Sequence, residues 1–402
     1  MTAATVDRGP GRTVSVLGYD GAPLRPAAAA RLAAATLVAG GERHLAAVDV
    51  APGARTLVMG DVVSVVREVA AHDGPAAVLA SGDPGLFGVV RLLRTAGVAP
   101  EVHPAVSSVA LAFARAGLSW DDAVVTSAHG RDLRHAIAAC RAHPKVAVLT
   151  AAGAGPAELG RVLLGVPRRL FVAEDLGTPQ ERCTWLDPAE AGRPWSDLNV
   201  VLALDPRRAG PAHRGWLAGR EQPAGWALPE ESFRHRDGMI TKYEVRALAL
   251  ARLGPRLGDL VWDVGAGSGA VGVECGRLGA AVIAVERGPV DHLRDNAAAH
   301  GVDVQVVQGT APAALVPLPD PDAVFVGGGG ADVAAITRAC VARRPRTVVV
   351  ALAALDRVAG VQAALAPYRV DGVQLSSARL RPLAGATALA ATNPVLLLWG
   401  TR

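Results

Sequence analysis

The stretch Trp262–Glu274, WDVGAGSGAVGVE, decides the class of fold: an apolar run ends in closely spaced glycines and a second apolar run follows at once. That order predicts a strand, a turn tight enough for backbone to approach a ligand, and a helix. Two patterns overlap in it. Gly267, Gly269 and Gly272 spell the G-x-G-x-x-G of a dinucleotide site, while Asp263, Gly265, Gly267 and Gly269 spell the D-x-G-x-G-x-G of an S-adenosylmethionine (SAM) site. Glu286, about 20 residues beyond the loop, would meet ribose hydroxyls in either case and decides nothing. Asp263 discriminates better. Beside a pyrophosphate its charge would be repelled by about 4 kcal/mol at roughly 4 Å and an effective dielectric near 20, whereas beside an ammonium and a sulfonium it is attracted. With Glu286 serving the ribose of either cofactor, Asp263 tips the reading toward SAM over NAD.

Outward from this loop the chain alternates. A helix is predicted over Thr241–Gly254, then strand LVWDVG, a helix through AVGVECGRLG, strand AVIAVER, helix VDHLRDNAAAHG and strand VQVVQG, followed by strands DAVFVGGG, TVVVALA and PVLLLWG. This is a doubly wound α/β alternation. Upstream, Pro206–Gly238 is rich in Pro, Gly and charge and has no sustained period, which marks a boundary. Before it, apolar runs at Thr13–Gly21, Ala76–Gly85, Lys145–Gly155, Arg168–Gly177 and Asp197–Asp205 read as strands of another α/β unit, with RPAAAARLAAATLVAGGERHL between the first two read as helical.

Composition agrees. A chain of 402 residues exceeds the roughly 250–300 at which one core stops growing, so at least two domains are expected. Half of the residues are hydrophobic but only 4% are aromatic, which suits alternating strands and helices better than an aromatic-cored sandwich. A net charge of +4 without a basic tract argues against a nucleic-acid binder and suits a small anionic substrate. Cys140, Cys183, Cys275 and Cys340 lie far apart with no metal spacing, so no metal site is expected, and buried free thiols in a reducing cytoplasm are. The start, MTAATVDRGPGR, has no apolar core of a signal peptide. Pro382–Thr401 carries no charge, but Asn393-Pro394 and its Ala/Gly-rich half predict two closing strands joined by a turn rather than a membrane span.

RHRDGMITKYEVRALALARL before the glycine loop, QGTAPAAL, VFVGGGGAD and TNPVLLLWG after it make the second half resemble the class I methyltransferases that methylate carbon 15 of a corrin precursor and decarboxylate it. MITKYEVR is the most specific of these. VLGYDG, LVAGGERHL, LASGDPGLFG, VHPAVSSVALAFARAGLSWDD and TSAHGRDL make the first half resemble a class III tetrapyrrole methylase of the carbon 5 type, a fold of two α/β subdomains. In this order on one chain the halves resemble the bifunctional, decarboxylating precorrin-6Y C5,15-methyltransferases of cobalamin biosynthesis. The resemblance implies a tetrapyrrole methylase domain over 12–205, a linker over 206–231, and a class I, Rossmann-like domain over 232–402. It implies reduced precorrin-6 as substrate, precorrin-8 as product, loss of the ring C acetate carboxyl, one SAM site per domain and a homo-oligomer in the cytoplasm, with no nucleic-acid or membrane partner.

By the same resemblance SAM is held in the second domain by Thr241, Gly265, Ala266, Gly267, Ser268, Gly269, Glu286 and Ala311, joined by Asp263 on the charge argument above, and in the first by Gly82, Asp83 and Pro84 with Ser107 and Ser108. Thr310 departs from the acid that many class I enzymes place there. A substrate with many acetate and propionate groups calls for Arg and His, and the candidates are Arg43, His44, His129 and Arg131, then Arg234, His235, Arg236, Arg379 and Arg381. His103 and His292 read as ordinary structural residues. No catalytic nucleophile is indicated. The residues alone leave three rivals: an RNA methyltransferase with a targeting module, against which fifteen aromatic residues and no basic-aromatic stripe argue; an NAD-dependent oxidoreductase; and a noncatalytic first half.

Overall fold

The computed structural model describes residues 13–209, 218, 219, 223, 225–236 and 238–402, so part of the 206–231 linker and residue 12 lie outside the described residues. The first half contains two five-stranded sheets. One is wholly parallel, in the order β3-β2-β4-β1-β5, from β1 (Val14–Tyr19), α1 (Pro26–Ala33), β2 (Leu37–Gly40), α2 (Glu42–Ala46), β3 (Arg55–Val58), α3 (Val62–Ala71), β4 (Ala76–Ser81), α4 (Val90–Thr95) and β5 (Glu101–His103). After α5 (Ser108–Ala116) comes a mixed sheet, β6-β7-β10-β8-β9, from β6 (Val124–Ser127), α6 (Leu133–Ala142), β7 (Lys145–Leu149), α7 (Pro156–Val162), β8 (Arg169–Glu174), β9 (Arg182–Leu186) and β10 (Asn199–Leu204).

The stretch read as one helix between the first two strands breaks at Ala34–Thr36, and Leu37–Gly40 enters the sheet fully buried. Alanine-rich sequence carries helix propensity, but four residues between two β neighbours have no solvent face to spare, so burial wins.

The second half begins with α8 (Tyr243–Leu253) and winds β11 (Leu260–Val264), α9 (Ala270–Arg277), β12 (Ala281–Glu286), α10 (Asp291–Ala299), β13 (Val304–Gln308), β14 (Ala323–Val326), α11 (Val333–Ala342), β15 (Thr347–Leu352), α12 (Val358–Leu365) and β16 (Arg369–Leu375). The sheet runs β13-β12-β11-β14-β15-β19-β16, with β19 (Val395–Thr401) antiparallel between β15 and β16. The strand order reverses beside β11, so the crevice past its carboxyl end is where a ligand fits. β17 (Ala378–Leu383) and β18 (Ala386–Ala391) pair only with each other, as a ribbon. The uncharged C-terminal stretch therefore does hold two strands and a turn, but they belong to different sheets. Among the described residues no helix is long and apolar enough to cross a membrane.

The two halves meet along α6. One side of this helix, Ala136, Ala139 and Cys140, enters the core of the second sheet, while Ala138 and Ala142 on the other side pack into the β11–β15 core. Spacings of three and four place each set on its own face. Arg168, fully buried, hydrogen-bonds the Cys140 and Arg141 carbonyls and reaches Asp303 at 2.7 Å. Arg208 pairs with both Asp205 and Asp303. Burial alone would raise the Asp205 carboxyl, but hydrogen bonds from Arg208 and the Arg207 amide, with the Arg168 charge nearby, hold it below its ordinary value.

Candidate functional site

In the second half the glycine loop closes the carboxyl end of β11. Gly265, Gly267 and Gly269 all have positive φ, +71°, +54° and +74°, conformations that cost an L side chain. Gly265 is also crowded, since a Cβ there would lie 2.7 Å from the Gly328 Cα, whereas one at Gly267 would meet nothing within 4 Å. The loop therefore has a locked base and an open rim. Glu286 accepts from the Gly267 amide at 2.9 Å and from Gly288 at 2.8 Å, and a carboxylate so held keeps lone pairs for hydroxyl donors. Ser268 is buried beneath, its carbonyl accepting from Asn296 at 2.8 Å. Ala266 and Gly269 complete the turn through an amide–carbonyl bond of 2.8 Å. Ala311 and Thr310 follow β13 on the same edge of the sheet, past Gly309, whose amide bonds the Glu286 carbonyl.

Asp263 stands differently from the expectation that it faces a ligand at the mouth of the loop. It is 1% exposed, and its Oδ2 turns under the loop to accept from the Gly272 amide at 2.8 Å, while Oδ1 has no hydrogen-bond partner among the described residues. Gly272 leaves room for this, as a Cβ there would press on the carboxylate at 2.9 Å. Burial pushes the carboxyl up to about 7, against the Gly272 amide and with help from Glu286. An unfolded Asp titrates near 3.9, so between these values the folded chain holds a proton that the unfolded chain has lost. The resulting stabilisation is full below about pH 4 and is lost as pH rises through about 7. Asp263→Asn should flatten this: the wild-type urea midpoint falls between about pH 5 and about pH 8 and the variant's does not. An equal fall in both would refute the assignment.

The MITKYEVR segment shows why it is specific. Arg246, fully buried, donates to the Thr241 carbonyl at 2.6 Å and to that of Leu228, pairs with the buried Glu274 at 3.3 Å, and lies over the Phe233 ring. Thr241 itself is half-buried at the head of α8. Glu274 also accepts from the Leu228 amide at 2.6 Å. Sequence reading missed Arg246; the signal was an Arg on the apolar side of α8. Burial lowers its pKa and Glu274 opposes the shift. Arg246→Met should weaken SAM binding by the second domain about tenfold, near 1.4 kcal/mol, through loss of the Thr241 anchor. Calorimetric titration with SAM checks this, and unchanged affinity would remove Arg246 from the site.

Arg379 is not available to a substrate. It forms ion pairs with Glu230 at 2.6 Å and Glu244 at 2.9 Å and lies over Tyr243, fastening the β17–β18 ribbon to α8. These hydrogen bonds hold Glu230 down at about 2. Arg234 pairs with Asp295 on the surface, and Arg381 is exposed on β17. Arg236 is exposed and His235 half-buried, both on the segment before α8. Arg234 is tied to the glycine loop through Asn296, which bonds the Arg234 amide and carbonyl as well as the Ser268 carbonyl.

In the first half the carboxyl ends of β1, β4 and β5 converge. Gly82, with φ +56°, sits so close to the next segment that a Cβ would lie 3.0 Å from the Ser107 Cα and 3.2 Å from the Ser108 amide nitrogen. The two predicted segments are thus in contact. Asp83 Oδ1 accepts from Gly85 at 2.8 Å, Pro84 is buried, and Ser107 caps α5 by accepting from Ala110. Asp20, which sequence reading passed over, ties β1 to this corner by accepting from the Val106 amide at 3.0 Å. Arg43 and His44 both reach Ser81, at 2.6 and 3.2 Å. His44 is a correction: burial, then the Arg43 charge, pushes it down to about 4, so it is neutral at ordinary pH and no cationic carboxylate clamp. Across the cleft, Arg131 lies over the Phe87 ring at 5.5 Å and bonds the His129 carbonyl. His129 and Arg131 are exposed there. His103 pairs with Glu101, and His292 is exposed on α10. Of the cysteines, Cys183 is exposed on β9 rather than buried, because it alternates outward on an edge strand; the other three are buried.

The profile described as tetrapyrrole (corrin/porphyrin) methylases matches residues 22–192, and that described as precorrin methyltransferase domain matches residues 231–402. A Sinorhizobium relative named precorrin-6Y C(5,15)-methyltransferase (decarboxylating) is 36% identical over 415 residues, covering 96% of this chain and 95% of its own. A Salmonella typhimurium relative named cobalt-precorrin-7 C(5)-methyltransferase is 37% identical over 202 residues, 48% of this chain and 99% of its own. One from Pyrobaculum calidifontis, named probable cobalt-precorrin-6B C(15)-methyltransferase (decarboxylating), is 35% identical over 42% of this chain and 93% of its own. With likeness that runs nearly end to end and two glycine corners each on its own sheet, the chain belongs to the precorrin-6Y C(5,15)-methyltransferase (decarboxylating) family.

Proposed function

We propose that this chain is a SAM-dependent C-methyltransferase that methylates a reduced precorrin-6 at carbons 5 and 15 and removes the ring C acetate carboxyl as carbon dioxide, yielding precorrin-8 in cobalamin biosynthesis. Residues 12–205 would methylate carbon 5, residues 232–402 would methylate carbon 15 and decarboxylate, and 206–231 would join them. The observation that carries this is the pair of separate glycine corners, at Gly82 against Ser107 and at Gly265 against Gly328, each at the carboxyl ends of paired parallel strands. Two corners support one SAM site per domain.

SAM supplies an electrophilic methyl group. The chain's own part is to hold donor and macrocycle in line and exclude water, worth about 7–11 kcal/mol when the geometry is near attack. In the second domain Glu286 would take the ribose hydroxyls, while Asp263 lies under the loop and acts on the cofactor's positive charge through space. When the acetate C–C bond breaks and carbon dioxide leaves, the electron pair would pass into the conjugated macrocycle and the remaining carbon would take a proton to become a methyl group; a shielded carboxylate undergoes this loss more readily. In the first domain Arg43, His129 and Arg131 would meet substrate carboxylates, with His44 orienting Ser81 instead. A homo-oligomer is supported by the β17–β18 ribbon, where Leu380 and Leu389 are cross-strand partners and 74% and 69% exposed. A cytoplasmic location is supported by unpaired cysteines. Mass spectrometry of reduced precorrin-6 after incubation with SAM tests the reading: two methyls gained and one carbon dioxide lost are expected, and an unchanged mass would overturn it.

A further inference from the structure

Among the described residues, the side-chain hydrogen bonds and ion pairs between the two halves fall at one end of the second domain's strands. Asp303, bound by Arg168 at 2.7 Å, immediately precedes β13. Asp322, paired with Arg134 at 3.3 Å, immediately precedes β14. Gly258, whose carbonyl bonds His135 Nδ1 at 3.0 Å, lies two residues before β11. Helix α6 thus lies across the amino ends of β11 and β14, and Arg168, which binds the Cys140 and Arg141 carbonyls near the end of the helix, reaches the start of β13. The glycine loop and Glu286 stand at the carboxyl ends of the same strands, a further strand length of about 17 Å from the interface.

The first domain's corner is walled off in another way. Its loops at Gly82 and Ser107 face the end of the mixed sheet that carries Ser127, Arg131 and Gly177, where Gly21 packs against Gly177 and Arg131 covers Phe87. The contacts made by Arg168, Asp205 and Arg208 lie at the other end of that sheet, where β8 starts and β10 finishes. Among the described residues no contact joins the two corners, and a fully buried Arg168 holds the halves in this arrangement.

We infer that the macrocycle is released into solvent between the two methylations, whichever comes first, and must be captured anew by the second cleft. The inference rests on the reading that both domains methylate. The full chain, with saturating SAM and reduced precorrin-6, is sampled by quenched mass spectrometry while filtrates that exclude protein are assayed. The singly methylated species should appear in the filtrate, and because recapture is bimolecular, tenfold dilution of the protein should lengthen the lag before doubly methylated product about tenfold. A lag independent of protein concentration, with the singly methylated species confined to the protein fraction, overturns the release. Failure to form any methylated product overturns the functional reading itself, a different result.

Discussion

Gly265→Ala is expected to abolish decarboxylation and the doubly methylated product, since it strikes the second domain's loop at its most constrained point. The residue holds φ +71°, which costs an L side chain about 1–2 kcal/mol, and its new methyl would lie 2.7 Å from the Cα and 2.8 Å from the nitrogen of Gly328. Both obstacles are backbone, so no rotamer change relieves them, and overpacking adds about 1–3 kcal/mol. The loop should shift away from β14 and SAM binding by this domain should be lost. Calorimetry should show one weaker or missing SAM site, and mass spectra no loss of carbon dioxide. Gly267→Ala is the control: its φ is also positive, but a Cβ there meets nothing, so folding should survive with a smaller loss of SAM affinity. Full activity in Gly265→Ala would show that the loop is not the cofactor's seat.

Arg168→Ala should be the most damaging change away from both clefts. Its guanidinium is fully buried, bonds three carbonyls, those of Cys140, Pro167 and Arg141, and neutralises Asp303 with Asp205 3.6 Å away. Removing one member of a buried ionic group strands the others and typically costs about 3–5 kcal/mol. Asp303→Asn, at a position that is 19% exposed and also reached by Arg208, should cost less, about 1–2 kcal/mol. Urea unfolding gives both numbers. If Arg168→Ala lost less than Asp303→Asn, the clamp would not hold the interface.

How far these features could be read beforehand depended on whether the determinant was local. The β11–β15 alternation was legible because parallel strands covered on both faces are nearly continuous apolar runs, and β11, β12 and β14 end at Gly265, Glu286 and Gly327. The short strands β2, β3, β5, β6 and β9 were not, since three to five residues show no period. Glycine corners were legible because a positive φ constrains residue type. The states of charged side chains were not: Arg379 finds Glu230 and Glu244 across 149 and 135 residues, and the Asp263 carboxyl is pushed up by burial that no local motif records. Arg43 and His44, adjacent in sequence, end with different charges: burial lowers both, but only the imidazole starts close enough to neutral pH to lose its proton.

Helix α6 keeps little for water beyond Arg134 and His135 near its start, and the two faces it turns to the two domains are dressed in alanine and thiol. Severing the chain near residue 205 to make a free-standing first half would lay bare Ala138 and Ala142 together with an Arg168 stripped of Asp303. Transplanting a second half from a single-domain cousin would meet the same bare strip. Independent halves would need polar side chains grafted at positions 138 and 142, and whether such a graft restores solubility to the fragment measures how deeply the fusion has been written into the helix.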